Sequence, residues 1–367
     1  MTQPTILVTG ATGFLGGATV ARLLQAGPAG RLLLLVRGTT DGDAAERLRR
    51  SLSRFAEPGD LDLGRCEILR ADLTDAAALA DSRLDAVTHV LHLASNTSFR
   101  SVRGVRHTNI LGSLALAHRM RRAPGLRRFL YVGTAYLCGA EPPCVVREDD
   151  FPRPCLRHLV EYTSSKAECE LLLEATAPEL PMVVARPSVV IGHTRLGVRP
   201  SASLWWFYRT SCLLRRSSCL LSASDDVVPV DYVAEALLFL LFKPELAHRR
   251  YHVSSGKVSA VLWYEIAAAY ADAAAEQRDD PWREVDFAAL PLERSRMAEH
   301  LGPGDEAHLL AALELYYRFG RLGVSYFDNT RLLAEGMPAP PRFTDYLGVC
   351  VATSAGRSVY EQMRDDE

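Results

Sequence analysis

Thr9-Gly10-Ala11-Thr12-Gly13-Phe14-Leu15-Gly16 follows an apolar run, Thr5-Ile6-Leu7-Val8, and opens a stretch of helically spaced apolar residues that reaches Ala26. Glycines three apart between a strand and a helix let the backbone approach a pyrophosphate, and the free N–H groups at the helix start face its negative charge. A tight turn without a ligand would also use glycine, so the context carries the reading: a strand before, a helix after, and Gly27-Pro28 to end it. The spacing is G-x-x-G-x-x-G, one residue different from the commoner dehydrogenase fingerprint. The turn predicts a dinucleotide cradle.

Outward from this turn, short apolar runs alternate with amphipathic stretches, the pattern of βαβ units and a parallel sheet. Strands are expected at Thr5–Val8, Arg31–Val36, Cys66–Leu69, Ala86–Leu93, Phe129–Val132 and Met182–Ala185, and helices at 16–26, 43–55, 109–122 and 161–175. After Ile191 the rhythm changes. The segment 195–225 is rich in Ser, Arg and aromatics, Val227 to Val233 leads into an apolar helix ending near Phe242, and the remainder reads as mainly helical. The expected fold class is α/β: a Rossmann doubly wound parallel sheet with a smaller, mainly helical C-terminal substrate lobe. Residues 1–191 would form the dinucleotide-binding Rossmann domain, with 226–255 returning to it, and 192–225 with 256–367 would form the lobe. Trp205-Trp206-Phe207-Tyr208 is read as lobe core before any substrate platform, and Arg215-Arg216 and Arg249-Arg250 as solvated faces.

Composition narrows the function. The 367 residues are 48% hydrophobic and 23% charged with a net charge of −2, which gives no whole-chain electrostatic support for a nucleic-acid partner. The strongest apolar run, Ala236 to Phe242, falls far short of the roughly 20 residues that span a bilayer. Met1 to Pro4 runs directly into the first strand without the marks of a secretory leader, and the eight scattered cysteines lack a C-x-x-C pair. The expectation is a cytoplasmic protein with reduced thiols and no transmembrane segment. His89 and His92 lie in an apolar run and read as strand residues, so no metal is expected.

The second informative stretch is Tyr162-Thr163-Ser164-Ser165-Lys166, which puts a phenol and an ammonium one helical turn apart. Only three of the 42 basic residues are lysines, Lys166, Lys243 and Lys257. With 13 Tyr and 3 Lys, chance supplies about 0.1 Tyr-x-x-x-Lys pairs in a chain this long. A lysine kept where arginine has taken nearly every basic position points to a task for a compact ammonium, which a planar guanidinium does not duplicate. Arg37 ends the second strand, where an acidic residue would hold the adenosine ribose of NAD, and no carboxylate occurs before Asp41. A guanidinium suits a 2′-phosphate, so the expected cofactor is NADPH.

With these residues the chain resembles the short-chain dehydrogenase/reductase superfamily in its extended form, over roughly the first 240 residues. The resemblance implies cofactor contacts from Gly10, Thr12, Gly13, Phe14 and Leu15 in the turn, from Asp72 and Leu73 on the adenine side, and from Ala94 and Ser95 on the nicotinamide side. It implies a catalytic set of Thr134, Tyr162, Lys166 and Asn109, with Lys166 also on the ribose, and a closing loop at Pro187, Ser188 and Val189. Within the superfamily the chain looks most like thioester reductases: fatty acyl-CoA reductases of the male-sterility type and terminal reductases of nonribosomal peptide synthetases. Gly133-Thr134-Ala135-Tyr136, Arg186-Pro187-Ser188 and Val228-Pro229-Val230-Asp231-Tyr232-Val233 carry that likeness. There a second arginine assists the phosphate, which maps onto Arg47, whereas the stretch between Arg54 and Cys66 is shorter than the resemblance leads one to expect.

The resemblance implies an NADPH-dependent reductase of an acyl thioester, borne by CoA or by a carrier protein acting in trans, giving an aldehyde or an alcohol. A reductase of a free ketone or aldehyde would share every catalytic residue. A nucleotide-sugar epimerase would retain NAD, against Arg37, and a non-catalytic cofactor sensor would need a broken Tyr/Lys pair. The sequence leaves the oligomeric state open.

Overall fold

The computed structural model describes residues 3–366 apart from 57, 99–101, 151, 218 and 276–279. Met1 and Thr2 of the expected lead-in, and residues 218, 276–279 and 367 of the expected lobe, lie outside the described residues. Seven strands, Thr5–Thr9 (β1), Arg31–Val36 (β2), Cys66–Arg70 (β3), His89–His92 (β4), Arg128–Val132 (β5), Met182–Pro187 (β6) and Arg250–Val253 (β7), form one sheet. The order is β7-β6-β5-β4-β1-β2-β3 and every pairing is parallel. The principal helices flanking it and filling the lobe are Phe14–Ala26 (α1), Asp41–Leu52 (α2), Ser113–Met120 (α3), Glu161–Thr176 (α4), Trp205–Leu214 (α5) and Val230–Phe242 (α6).

Ile6–Val8 of β1 and Leu32–Val36 of β2 are apolar without interruption because both faces of the sheet are covered there. Alternate side chains go to opposite layers: Ile6, Val8, Leu32 and Leu34 pack with α1, α2 and α6, while Leu7, Leu33, Leu35 and Val90 pack with α3 and α4. From β1 the chain runs outward to β2 and β3, then crosses back from β3 to β4 on the other side of β1, so a crevice opens at the carboxyl ends of β1 and β4. This is the doubly wound arrangement expected from the sequence.

Three local readings need correction. The helix expected at 109–122 starts upstream at Val102–Arg106 and passes through a π-turn, His107–Gly112, before α3. β7 lies in the tail that read as mainly helical. It escapes a search for apolar runs because Arg250 and His252 alternate with Tyr251 and Val253, and only the latter pair joins the core. Arg215 and Arg216 are not a solvated face: both are buried, and Arg215 donates to the Asp280 carbonyl at 2.7 Å. Arg250 pairs with Glu170 and Glu174, whereas Arg249 is exposed.

The C-terminal helices share a second core. Trp205, Trp206, Phe207 and Tyr208 are all buried there with Trp263, Tyr270, Tyr317 and Phe343, as expected of a lobe core. Burying each such ring stabilises the lobe by about 1.5–3 kcal/mol. Among the described residues no helix is long and apolar enough to cross a membrane.

Candidate active site

The glycine turn joins β1 to α1 at the sheet's crevice. Gly10 has φ +74°, and a Cβ there would stand 2.7 Å from the backbone nitrogen of Ala94. A Cβ on Gly16 would come within 1.9 Å of the Gly10 carbonyl oxygen. These glycines are required by close backbone approach. Gly13 precedes α1 in extended conformation with no side-chain cap, and the first turn of α1 holds no acidic residue. Its N–H groups are therefore left for an outside acceptor, an arrangement that fits a pyrophosphate. Thr12 is half-buried beside them, Phe14 stacks on Phe55 with centroids 6.2 Å apart, and Leu15 packs against the core.

At the end of β2, Arg37 is exposed and Arg47 half-buried one helix away, and neither has a hydrogen-bond or ion-pair partner among the described residues. The nearby acids are engaged elsewhere: Asp41 accepts from Arg70 at 2.6 Å, and Asp43 accepts from the Thr39 backbone at 2.9 Å. Asp72 accepts from both the N–H and the hydroxyl of Thr74. Burial opposes its charge, but the Thr74 hydrogen bonds and the positive charges of Arg37 and His107 outweigh it and hold its carboxyl below the usual range. Leu73 next to it is buried.

The loop after β4 is held by a chain of buried hydrogen bonds. The Ala94 N–H donates to Thr9 Oγ1 at 3.2 Å, which meets His92 Nδ1 at 2.6 Å, and His92 Nε2 meets Ser113 Oγ at 2.8 Å. Burial and the Lys166 charge push His92 down to about 3, so the ring is neutral. Asn109 sits in the π-turn, fully buried. Its Oδ1 accepts from Ser95 Oγ and the Asn96 N–H, and its Nδ2 donates to the Asn96 carbonyl and to Ser165 Oγ, both at 3.0 Å. The widened turn thus carries this side chain across to α4.

α4 presents the Tyr/Lys pair toward the end of β5. The Tyr162 hydroxyl is hydrogen-bonded to Thr134, and burial, opposed by that bond, raises the phenol to about 12. Lys166 is 3% exposed; its Nζ donates to the Val132 carbonyl at 2.8 Å and stands 5.0 Å from the Tyr131 ring. Burial pushes it down to about 8. At neutral pH the phenol is therefore protonated and the ammonium still mainly charged. The other two lysines do structural work or face solvent: Lys243 pairs with Glu335 at 2.6 Å and Lys257 is exposed.

Arg186 leads into the closing segment and is buried against Glu170. Ser188 N–H donates to the Val253 carbonyl at 3.1 Å and Val189 N–H to the Asp226 carbonyl at 3.2 Å, while Pro187 ends β6. The structure thus brings together the glycine turn, the 94–96 loop, Asn109, Thr134, Tyr162, Lys166 and the Pro187–Val189 segment, with Arg37 and Asp72 just past the ends of β2 and β3 and Arg47 on α2.

Several participants were not singled out from the sequence. Ser165 lies inside the quoted Tyr-to-Lys stretch and joins Asn109 to the Tyr162 carbonyl. Asp226 accepts from the backbone of Ser255 at 2.7 Å and of Phe327 at 2.9 Å, tying the lobe to the sheet. Its only signal is an Asp-Asp pair set before an apolar run. A separate groove of about 400 Å³ lies behind α1, lined by Arg22, Phe55, His193 and Asp231 among others; it contains none of these candidates.

Sheet order, glycine cradle and Tyr/Lys placement define an extended short-chain dehydrogenase/reductase, an NAD(P)-binding Rossmann protein. The family described as Male sterility protein matches residues 8–237, and the chain belongs to it. A Drosophila melanogaster protein bearing the name fatty acyl-CoA reductase is 26% identical over 305 residues, covering 69% of this chain and 55% of its own length. Peramine synthetase ppzA of Metarhizium majus is 25% identical over 287 residues, covering 72% of this chain and 10% of its own length. The chain therefore spans about half of the first relative and a small part of the second. Among solved structures, the terminal R domain of the myxalamid PKS-NRPS pathway superposes with TM-score 0.79 at 21% identity, covering 97% of this chain and 92% of that one. UDP-glucose 4-epimerase of Thermus thermophilus, in complex with NAD, gives 0.60 at 21%, covering 96% and 99%. At these identities the likeness is one of fold.

Proposed function

We propose that the chain is an NADPH-dependent reductase of acyl thioesters, with Tyr162, Thr134 and Lys166 at the reacting carbonyl. The observation that carries the reading is the hydrogen bond between the Thr134 and Tyr162 hydroxyls beside the sealed Lys166 ammonium. Membership of a family whose relatives bear the names fatty acyl-CoA reductase and nonribosomal peptide synthetase supports the substrate class. Arg37, exposed and without an ion-pair partner among the described residues, supports a 2′-phosphate and hence NADPH over NADH, with Arg47 as its second cation. The cradle fits the dinucleotide through the uncapped N-terminus of α1 and the close packing at Gly10 and Gly16.

NADPH, when bound, supplies the hydride that the carbonyl carbon takes. Thr134 and Tyr162 donate hydrogen bonds to the oxygen on which charge develops, and preorganised donors matter most there. Tyr162 then gives up its proton, because the Lys166 charge favours the phenolate. Ser165 and Asn109 fix Tyr162 relative to the 94–96 loop. The Asn109 side chain is fully engaged with protein groups, so a water feeding the proton relay would bind its backbone carbonyl in the π-turn. Collapse of the resulting hemithioacetal expels the thiol and leaves an aldehyde. A thioester carbonyl has weak resonance donation and a good leaving group, so no acyl-enzyme is needed. A carrier protein or CoA is the proposed bearer of the acyl group, and the cytoplasm the proposed site of action.

The test is NADPH oxidation against acyl-CoAs, acyl-pantetheines and simple ketones, with thiol release measured and the aldehyde trapped by an amine. One thiol per first NADPH consumed is expected. Rapid turnover of ketones with none of any thioester would overturn the reading.

A further inference from the structure

Beside Thr134 stands a tyrosine that the hydride chemistry does not use. Tyr136 is two residues beyond Thr134, and its backbone N–H donates to Thr134 Oγ1 at 3.3 Å. Its ring is clamped edge-on by Phe327 at 4.9 Å and Phe319 at 5.6 Å, and its hydroxyl has no hydrogen-bond partner among the described residues. Burial holds this phenol well above its usual range, and the nearby charges of Asp225 and then Asp226 add to that rise. Asp225 is half-buried at the end of the Ser224–Asp225 strand, next to the residue that holds Val189 of the closing segment.

The Asp225 carboxylate is rigidly placed and incompletely used. Oδ2 accepts from the Tyr208 hydroxyl at 2.6 Å, and Tyr208 is itself fixed by stacking on Trp263 at 5.2 Å. Oδ1 accepts from the Asp226 N–H at 3.1 Å. A carboxylate offers about four acceptor positions, so two remain. Burial, with the like charge of Asp226 adding to it, raises this carboxyl to about 6 against the Tyr208 hydrogen bond, and no Lys or Arg forms an ion pair with it among the described residues. Asp226, by contrast, is satisfied by the backbone of Ser255 and Phe327. A half-accessible carboxylate, without an ion-pair partner among the described residues and held in place by the buried Tyr208, thus stands near the phenol of Tyr136, a combination that suits an ammonium group.

We propose that Asp225, flanked by Tyr136 and Tyr208, determines specificity by selecting acyl thioesters whose chain carries a protonated amine over plain alkyl chains. The proposal rests on the thioester-reductase reading and names its substrate class. A plain alkyl chain would leave the carboxylate without a partner, whereas an amine of suitable reach pairs with it.

The experiment uses the full chain with NADPH and a ladder of ω-aminoacyl N-acetylcysteamine thioesters, each matched to its methyl-terminated isostere. At one chain length kcat/KM should favour the amine by about ten- to a hundredfold, the worth of one charge-assisted contact. Asp225→Asn should bring that ratio close to one, and Tyr208→Phe, which only loosens the carboxylate, should lower it less. A ratio near one at every length in the unmodified protein, or one that Asp225→Asn leaves intact, overturns the proposal. In parallel, binding of the matching non-reducible amides is measured by calorimetry. If no thioester is reduced, the reductase reading falls, and the amides alone decide this one: amine-selective binding lost in Asp225→Asn sustains it, and equal binding of both kinds overturns it.

Discussion

Replacing Lys166 with Met should cripple turnover and yet make the protein without cofactor more stable at neutral pH. Lys166 is 3% exposed and burial lowers it to about 8, against 10.5 for a free side chain. That gap, at 1.36 kcal/mol per pH unit, makes the buried charge cost about 3 kcal/mol of folding free energy at pH 7. Met removes the charge and nearly keeps the volume, but forfeits the hydrogen bond to the Val132 carbonyl, worth about 1 kcal/mol. The net gain is about 2 kcal/mol. With an unfolding entropy of about 2.1 cal/mol/K per residue, this raises Tm by about 2–3 °C. The sign follows from proton binding. Between pH 8 and 10.5 the unfolded chain holds the proton that the folded chain has lost, so wild-type stability rises across that window. The advantage of Lys166→Met is complete below pH 8 and gone by about 10.5. Differential scanning of both proteins without cofactor from pH 6.5 to 10.5 reads this directly. A variant no more stable than wild type at pH 7, or a gap that ignores pH, would refute the assignment of a strained, functional lysine. Turnover should meanwhile fall by about 10²–10⁴.

Arg37→Ala should weaken NADPH binding by about ten- to a hundredfold in a fluorescence titration and leave NADH nearly untouched; equal losses for both cofactors would count against a 2′-phosphate at the β2 end. Gly16→Ala should lower Tm and eliminate cofactor binding, because its Cβ would meet backbone at 1.9 Å, while Gly13→Ala, with its Cβ 3.5 Å from the Gly10 carbonyl, should keep its Tm. A harmless Gly16→Ala would show that the turn is looser than described. Glu148 is buried and pushed up to about 7 by that burial, so its ionisation removes stability as pH rises from 4.5 to 7. Glu148→Gln should therefore gain on wild type by something on the order of 3 kcal/mol across that window in denaturant unfolding. A constant difference at pH 5 and pH 8 would sink this.

The cofactor fold was legible in the sequence because its determinants are local. A glycine that must take positive φ, a strand buried on both faces, and a phenol one helical turn from an ammonium each leave a mark within a few neighbouring residues. The same holds for Arg37, whose meaning lies in ending a strand without an acid nearby. What only the tertiary structure decided was which distant groups meet. Asn109 reaches Ser165, 56 residues away, through a π-turn that no apolar periodicity announces. Arg215 and Arg216 read as a solvated pair because a charge run does not reveal whether another segment supplies its acceptors, and here Asp280 does. β7 hid its strand character because an edge position lets polar and apolar residues alternate. Tyr136 and Asp225, 89 positions apart, come near enough for the one's charge to act on the other only because Tyr208, packed in the lobe's aromatic core, holds the carboxylate while Phe327 packs on the Tyr136 ring. Local chemistry thus marked the dinucleotide turn and the Tyr/Lys pair, while what surrounds them depends on long-range packing, which one-dimensional patterns do not encode.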